Sequence, residues 1–212
     1  MRIDQAGYPF IGGALVPAAI AAAAKRPLLA TSFALLGGFF AYFFRDPDRN
    51  IPQAPGLVVS PADGKVMIAG PTDHRWAPPG EWNQVTIFLS PMDVHMNRTP
   101  VEGRITKIDY RPGAFLPAYN EGSNANELNE IWLDSNGRTI VVRQVVGILA
   151  RRIVCRVAEG QQLARGERIG LMKFGSRMDV FLPPDAVLQV QVGQRVIAGE
   201  TVIATLGSDG AR

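Results

Sequence analysis

The stretch of sequence that decides the fold lies near the carboxy end of the chain. It reads Val192-Gly193-Gln194-Arg195-Val196-Ile197-Ala198-Gly199-Glu200-Thr201-Val202-Ile203. Glycine adopts the left-handed backbone conformations that tight turns require, whereas valine and isoleucine favour half-buried strands. Gly193 and Gly199 each interrupt a run of such apolar residues. The stretch therefore predicts short strands joined by glycine turns, with the valines in a core.

The same theme of apolar residues followed by a glycine turn occurs in residues 157–163 and 163–170. Farther upstream, runs rich in valine and isoleucine alternate with clusters of glycine and proline, which is the pattern of short strands and turns. We predict strands over residues 57–59, 65–68, 84–89, 104–110, 130–133, 139–146, 152–157 and 187–192. This part of the chain is thus expected to be mainly β. Its valine–glycine pattern resembles the hammerhead turns of biotinyl- and lipoyl-type β-sandwiches, a barrel-sandwich fold that specifies no chemistry by itself.

The amino-terminal region has a different composition. Between Pro9 and Phe44 the only charged residues are Lys25 and Arg26, which separate two uncharged runs. Each run is shorter than the ~20 apolar residues that cross a bilayer core comfortably, and each begins with proline, which suits a helix start. We predict a helical membrane hairpin over residues 1–44 that dips into the bilayer or barely crosses it. Its interfacial aromatic residues would be Tyr8, Phe39, Phe40, Tyr42, Phe43 and Phe44.

Two other interpretations of this region remain open. The first run resembles a signal peptide that ends at the alanine cluster 21–24, but Asp4 and the immediate second apolar run argue against it. Alternatively the pair is a buried hairpin of a soluble domain, which the length of the consecutive uncharged runs disfavours. A polar, proline-punctuated stretch at 46–52 predicts the boundary between segment 1–44 and domain 45–212. We expect attachment to the cell membrane, with the downstream domain in the cytoplasm.

Composition excludes several classes of function. The net charge of +3 and the pI near 9.3 are too mildly basic to indicate nucleic-acid binding, although they suit an anionic lipid surface. Cys155 is the single cysteine, so no internal disulfide is expected, and its apolar neighbours predict a small buried hydrophobic side chain. His74 and His95 are the only histidines and no Cys/His cluster is present, so we expect no metal. No glycine-rich phosphate loop indicates a nucleotide.

Three short segments contain the residues that could carry chemistry. Each is compatible with an ordinary turn when taken alone. They are Ser60-Pro61-Ala62-Asp63-Gly64, then Leu89-Ser90-Pro91-Met92-Asp93-Val94-His95-Met96-Asn97-Arg98-Thr99-Pro100, then Lys173-Phe174-Gly175-Ser176-Arg177. In this order, and behind a hydrophobic amino end, they resemble the phosphatidylserine decarboxylase family in its short form with a membrane segment. The similarity covers essentially the whole chain after Phe44.

The resemblance implies that the chain cuts itself at Gly175-Ser176. The products would be a β chain, residues 1–175, and an α chain, residues 176–212, which stay together as a heterodimer. Ser176 would become a pyruvoyl group, a cofactor made from the chain itself. This group would form a Schiff base with the phospholipid substrate, phosphatidylserine, and release phosphatidylethanolamine and carbon dioxide. Whether the protein also forms a homo-oligomer is left open.

The resemblance also assigns roles to individual residues. The family's Asp-His-Ser triad corresponds to Asp63, His95 and Ser176, because serine needs a general base that a third group orients. Longer family members carry a second histidine where this chain has Arg98. His95 is therefore preferred as the base, with His74 as the alternative. Arg98 is predicted to bind a phosphate or carboxylate of the substrate.

Two alternative functions stay open at this point. The first is the same chemistry on archaetidylserine, the ether-linked counterpart of the substrate. The second belongs to another class, a membrane-tethered lipoyl-like adaptor without catalysis. The two classes differ at Ser176, because an adaptor has no reason to break its own backbone there.

Overall fold

The computed structural model of the protein describes residues 2–72, 77–113, 126–147, 153–173 and 176–207. The chain divides into two compact units, Met1–Asp48 and Arg49–Arg212.

The described part of the first unit contains two helices and a short antiparallel strand pair. Its elements are β1 (Arg2–Ile3), a 3-10 turn (Gln5–Gly7), α1 (Tyr8–Ala23), α2 (Pro27–Phe43) and β2 (Arg45–Asp46). The helices are antiparallel, since the Phe10 ring near the start of α1 lies 5.5 Å from the Phe40 ring near the end of α2. Gly37 lets the helices approach closely, because a Cβ there would lie 2.7 Å from Leu15. The predicted pair of helices is present.

Much of the apolar surface of these helices faces outward. The segment Gln5–Ala23 is long and apolar enough to cross a membrane, whereas Pro27–Phe43 is shorter. Large aliphatic side chains are exposed on both helices: Leu15, Val16, Ile20, Leu28, Leu29, Leu35 and Leu36. Length and composition are weak support for membrane association, because a signal sequence passes the same test.

The second unit is mainly β, as predicted. Its strands are β3 (Leu57–Val59), β4 (Gly64–Pro71), β5 (Asn83–Leu89), β6 (Met96–Arg98), β7 (Gly103–Arg111), β8 (Leu128–Ser135), β9 (Arg138–Val146), β10 (Ile153–Cys155), β11 (Gln162–Leu163), β12 (Arg168–Met172), β13 (Ser176–Leu182), β14 (Val187–Leu188), β15 (Arg195–Val196) and β16 (Val202–Thr205).

Within the described ranges these strands form one large sheet and two small ones. The eight-stranded sheet has the order β11-β7-β8-β9-β13-β5-β4-β15, and the small sheets are β10-β12-β6 and β14-β16-β3. All pairings are antiparallel. One continuous core joins the sheets: Ile87, Leu89, Met178 and Val180 of the large sheet pack with Val58, Ile169, Met172 and Ile203 of the small ones.

Most predicted strands are confirmed, but in the carboxy-terminal third one predicted strand is too long and another strand was not predicted. Over 187–192 the prediction was wrong beyond Leu188, because the chain leaves the strand there and reaches a turn at Gly193, whose φ is 93°. Strand β13 was not predicted at all, although it lies between β9 and β5. Arg177 and Asp179 alternate with its apolar residues, and the sequence gives no sign that these two charges pair with each other.

The prediction of a buried Cys155 was wrong. The cysteine is exposed, and its Sγ lies 3.7 Å from the Val157 carbonyl oxygen. Cys155 ends β10, which is the edge strand of its sheet. Residues at the end of an edge strand have neighbours on one side only, so apolar sequence neighbours did not guarantee burial.

Candidate active site

The backbone of Ser176 begins a central strand of the large sheet. Its Cα pairs with Leu89 of β5 on one side and with Val146 of β9 on the other. Both neighbours are 0% exposed. Strand β12, which ends at Met172, belongs to a small sheet, whereas β13 belongs to the large one. Residue 176 therefore begins a strand with a fully buried partner on each side.

The other two sequence segments meet at this region. The backbone N–H of Arg98 donates to the Pro61 carbonyl at 2.9 Å, and the N–H of Val59 donates to the Pro100 carbonyl at 2.9 Å. The second segment starts at Leu89, the strand partner of Ser176. The tight passage after Asp63 requires Gly64, since a Cβ there would lie 2.2 Å from the Phe88 carbonyl oxygen. The three segments are thus tied together through β5 and β6.

His95 is a buried histidine with a defined tautomer. It is 2% exposed, and its Nδ1 lies 2.9 Å from the Asp93 carbonyl oxygen. A carbonyl only accepts, so Nδ1 carries the proton in the neutral ring and Nε2 is the nitrogen that can act as a base. The next residue, Met96, pairs with Leu171 of β12. The role of His95 as the base stays a prediction.

Asp93 holds the loop that carries His95. Its Oδ2 accepts from the Ser90 N–H at 2.8 Å, and its Oδ1 accepts from the Arg195 guanidinium. The first contact closes the turn after β5, and the second ties that turn to β15. The sequence analysis assigned no role to Asp93. One sequence signal could have indicated this role. The loop begins with Ser-Pro, and an aspartate follows three residues after the serine, a spacing at which its side chain can close a turn.

Asp63 has partners other than the predicted one. Arg49 binds both of its carboxylate oxygens, at 3.0 and 2.9 Å, and the Ala198 N–H donates to Oδ1 at 2.8 Å. Within the part of the chain that the structure describes, its carboxylate makes no hydrogen bond to His95, whose orienting contact is the Asp93 carbonyl. The orienting role of Asp63 stays a prediction.

Arg98 is packed inside the domain. It is 6% exposed, and its NH1 donates to the Gly166 carbonyl at 2.9 Å. Gly199 makes room for its stem, since a Cβ there would lie 3.2 Å from Arg98 Cδ, and its φ of +77° suits glycine. Two glycine turns of the predicted pattern thus lie against the Arg98 side chain, Gly166 at its guanidinium and Gly199 at its stem. His74, the alternative base, lies outside the described residues.

A chain of three buried amides runs from the large sheet toward this site. Asn129 Nδ2 donates to Gln144 Oε1 at 3.0 Å, and Gln144 Nε2 donates to Asn97 Oδ1 at 2.8 Å. All three side chains are at most 1% exposed. Among the described residues, Asn97 Nδ2 has no hydrogen-bond partner. Sequence reasoning missed this chain, because its members become neighbours only through the pairing of β8 with β9 and the packing of β6 against them.

A pyruvoyl group would fit this environment, since it forms in place from residue 176 and needs no separate binding cavity. The strand partners of position 176, Leu89 and Val146, are fully buried and apolar. Within the described ranges, no three His, Cys, Asp or Glu side chains cluster in a way that would hold a metal ion.

Comparison with known proteins defines the class. Residues 36–204 match the family model described as phosphatidylserine decarboxylase, and the chain belongs to that family. Among its curated relatives, the phosphatidylserine decarboxylase proenzyme of Desulfotalea psychrophila (strain LSv54 / DSM 12343) is 41% identical over 206 residues, which cover 96% of each chain. The family resemblance predicted from the three segments is confirmed, and a non-catalytic adaptor is disfavoured.

Proposed function

We propose that the protein is a decarboxylase that converts phosphatidylserine to phosphatidylethanolamine and carbon dioxide. The observation that carries this function is the 41% identity, over nearly the full length of both chains, to a relative named as a phosphatidylserine decarboxylase proenzyme. A proenzyme requires processing, and this chain has Gly175-Ser176 at the position where the family resemblance implies a cut. Function therefore depends on a maturation step that the chain performs on itself.

In the proposed maturation His95 takes the hydroxyl proton of Ser176 as the serine oxygen bonds to the Gly175 carbonyl carbon. The proton passes to the nitrogen of residue 176 as the carbon–nitrogen bond breaks, so the amide becomes an ester. Residue 176 then loses its α-proton while the Gly175 carboxylate departs, which leaves a dehydroalanine. The imine tautomer of this product reacts with water, releases ammonia and leaves a pyruvoyl group. The Asp93 carbonyl supports the first step, because it keeps the proton on His95 Nδ1.

Once formed, a pyruvoyl group supplies the carbonyl and the electron sink that decarboxylation of an amino acid head group needs. The two strand partners of position 176, Leu89 and Val146, are fully buried, which supports a site that would limit access of water to such a reactive carbonyl. We propose that Arg98 binds the anionic head group, since its planar guanidinium can hold a phosphate or carboxylate bidentately. We propose that Asp63 stabilises the protonated form of His95 during maturation.

The proposal extends to the organisation of the chain. Residues 1–44 would attach the protein to the cell membrane as a hairpin, and residues 45–212 would form the cytoplasmic catalytic domain with a biotinyl/lipoyl-type barrel-sandwich. Supporting observations are the outward apolar side chains of α1 and α2 and the left-handed turns at Gly193 and Gly199. Cleavage within the domain would divide the whole protein into chains 1–175 and 176–212.

Intact mass measurement of the purified protein tests the function most directly. We expect chains of residues 1–175 and 176–212, with the second blocked at its amino end, and carbon dioxide release from phosphatidylserine. Ser176→Ala should stay full-length and inactive. Splitting of the alanine variant at the same bond would contradict the proposal. An ether-linked phosphoserine lipid assayed in parallel distinguishes the archaetidylserine alternative.

A further inference from the structure

Residues 49–54, called here the docked segment, are bound to the second unit at several points. This segment overlaps the polar stretch that the sequence predicted as a domain boundary. The Asn50 N–H donates to Glu200 Oε1 at 3.0 Å. Arg165 NH1 donates to two carbonyl oxygens of the segment, at 2.9 and 2.7 Å. The Arg165 side chain is only 7% exposed, so its guanidinium is a fixed anchor. The docked segment is therefore part of the fold and not a free linker.

Ile51 is the residue of the docked segment that contacts two glycine turns at once. A Cβ built on Gly166 would lie 2.5 Å from Ile51 Cδ1, and a Cβ built on Gly199 would lie 2.7 Å from the same atom. The backbone φ is +75° at Gly166 and +77° at Gly199, values that favour glycine. The terminal methyl group of Ile51 therefore occupies the space that both glycines leave open, and it sets how closely the two turns approach.

The same two turns hold Arg98 and the segments on either side of it. Arg98 NH1 donates to the Gly166 carbonyl at 2.9 Å, and a Cβ on Gly199 would lie 3.2 Å from Arg98 Cδ. The Gly166 N–H donates to the Thr99 carbonyl at 2.9 Å, and the Gly199 N–H donates to the Ser60 carbonyl at 2.8 Å. One turn thus contacts the guanidinium of Arg98 and the other its stem. A shift of either turn changes the direction of the Arg98 side chain.

We propose that Ile51 is a positioning residue for substrate binding, which acts on Arg98 through the Gly166 and Gly199 turns. A planar guanidinium holds a phosphate or carboxylate with two parallel hydrogen bonds only when its plane is correctly oriented. Ile51 keeps the two turns at the separation that fixes this plane. The inference rests on the proposed function, in which Arg98 binds the anionic head group, and it adds the residue that orients Arg98.

The contact of Ile51 is local, which makes it suitable for mutation. Ile51 is half-buried, and it is not among the described residues that form the continuous core. Ile51→Val removes Cδ1, the atom that meets both glycines, and keeps the rest of the side chain. Ile108→Val is the matched control, because Ile108 is also half-buried but packs against the core from β7. A purely structural effect of losing one methyl group should therefore be at least as large in the control.

Steady-state kinetics of the full chain in detergent micelles test the proposal, with carbon dioxide release followed as the mole fraction of phosphatidylserine is varied. A hydrogen bond from a charged group is worth about 10–100-fold in binding, so Ile51→Val should raise KM about 10-fold. Chain splitting and kcat should stay at the wild-type values, as expected when binding alone is weakened. Ile108→Val should keep the wild-type KM. An unchanged KM in Ile51→Val, a loss confined to kcat, or an equal rise in both variants overturns the proposal.

A double-mutant cycle with Arg98→Lys tests whether Ile51 acts through Arg98. Lysine keeps the charge, but its ammonium is a point charge on a flexible stem and has no plane to orient. We expect Ile51→Val to raise KM in the wild-type background and to add little in the Arg98→Lys background. Effects on KM that multiply would show that the two residues act independently, which overturns the proposal. Wild-type protein that releases no carbon dioxide from phosphatidylserine would instead contradict the proposed function itself.

Discussion

At the scale of single residues, the proposed maturation depends most directly on His95. The Asp93 carbonyl determines which ring nitrogen carries the proton, and burial keeps water from competing for it. A backbone carbonyl cannot be removed by mutation, so this orienting contact survives most side-chain changes nearby. The imidazole is therefore the residue whose loss should be most informative.

His95→Ala should accumulate uncleaved precursor. Removal of a catalytic base commonly costs on the order of 10⁴-fold in rate, so splitting should fall below detection within hours. His74→Ala is the control and should process normally. Chain splitting followed on gels is the measurement, and normal splitting of His95→Ala beside a blocked His74→Ala would assign the base to His74.

Substitutions at Asp63 and Arg49 distinguish two roles of the Asp63 carboxylate, its proposed effect on His95 and its ion pair with Arg49. Asp63→Asn keeps an acceptor for Ala198 but removes the charge that would stabilise protonated His95, so cleavage should slow on the order of 10²-fold or more. Arg49→Met removes the same ion pair but leaves the charge on Asp63, so cleavage should stay near the wild-type rate. Equal slowing in both variants would mean that Asp63 serves only to hold Arg49.

Residue identity alone predicted part of this site. Asp63, His95, Arg98 and Ser176 were found because their types and order match a family motif. Asn97, Gln144 and Asn129 were not found, because an amide signals nothing until strand pairing or sheet packing brings it against another amide. The contact of Asp63 with Arg49 was not predicted either, because Arg49 lies in the polar stretch that was interpreted as a domain boundary.

At the scale of elements, β13 is buried on both faces. Met178 and Val180 pack in the core, while Asp179 on the other face is 0% exposed. Thr86 donates to Asp179 Oδ1 at 2.8 Å and Arg177 donates to Oδ2 at 3.1 Å, so the buried charge is paired. Alternation of apolar and charged residues usually indicates a strand with one wet face. Here the charges pair with each other, which is why sequence reasoning did not recognise a central strand.

Thr86→Val should destabilise the domain through this strand. Valine has nearly the same shape but cannot donate to the buried carboxylate, and a hydrogen bond to a charged group contributes about 1.5–3 kcal/mol. In a domain of this size that loss corresponds to a fall of roughly 3–12 °C in melting temperature. Thr106→Val is the matched control, because Thr106 is exposed and its contact with Trp132 is long, at 3.3 Å.

Melting curves of both variants in the uncleaved Ser176→Ala background give the comparison. An equal and small shift in melting temperature for Thr86→Val and Thr106→Val would show that the hydrogen bond from Thr86 to Asp179 does not stabilise the domain.

At the scale of the whole molecule, the two units have different surfaces. The first exposes aliphatic side chains along both of its helices, whereas the second buries its apolar residues in one continuous core. The three segments that carry the proposed chemistry all lie in the second unit. Attachment and catalysis are therefore assigned to separate parts of the chain.

Deletion of residues 1–44 should give a more soluble protein that still cleaves itself. Transfer of the exposed aliphatic side chains into lipid is favourable, so the full-length protein should sediment with membranes and require detergent for release. Membrane flotation and gel analysis of chain splitting are the two measurements. Full-length protein that stays free of lipid without detergent would contradict the hairpin proposal.

The position of β13 also determines what a cut before Ser176 does to the assembly. Strand β13 stays paired with β5 and β9, β15 with β4, and β16 with β3, so the shorter product remains threaded through two sheets of the longer one. Breaking one peptide bond creates two chain ends but no dissociable interface. Dilution should not separate the products, and isotope-labelled short chains should not exchange between molecules unless the whole domain unfolds. Loss of the short chain should therefore be irreversible, because unfolding would remove β13 from between β5 and β9 and leave both strands without their partner.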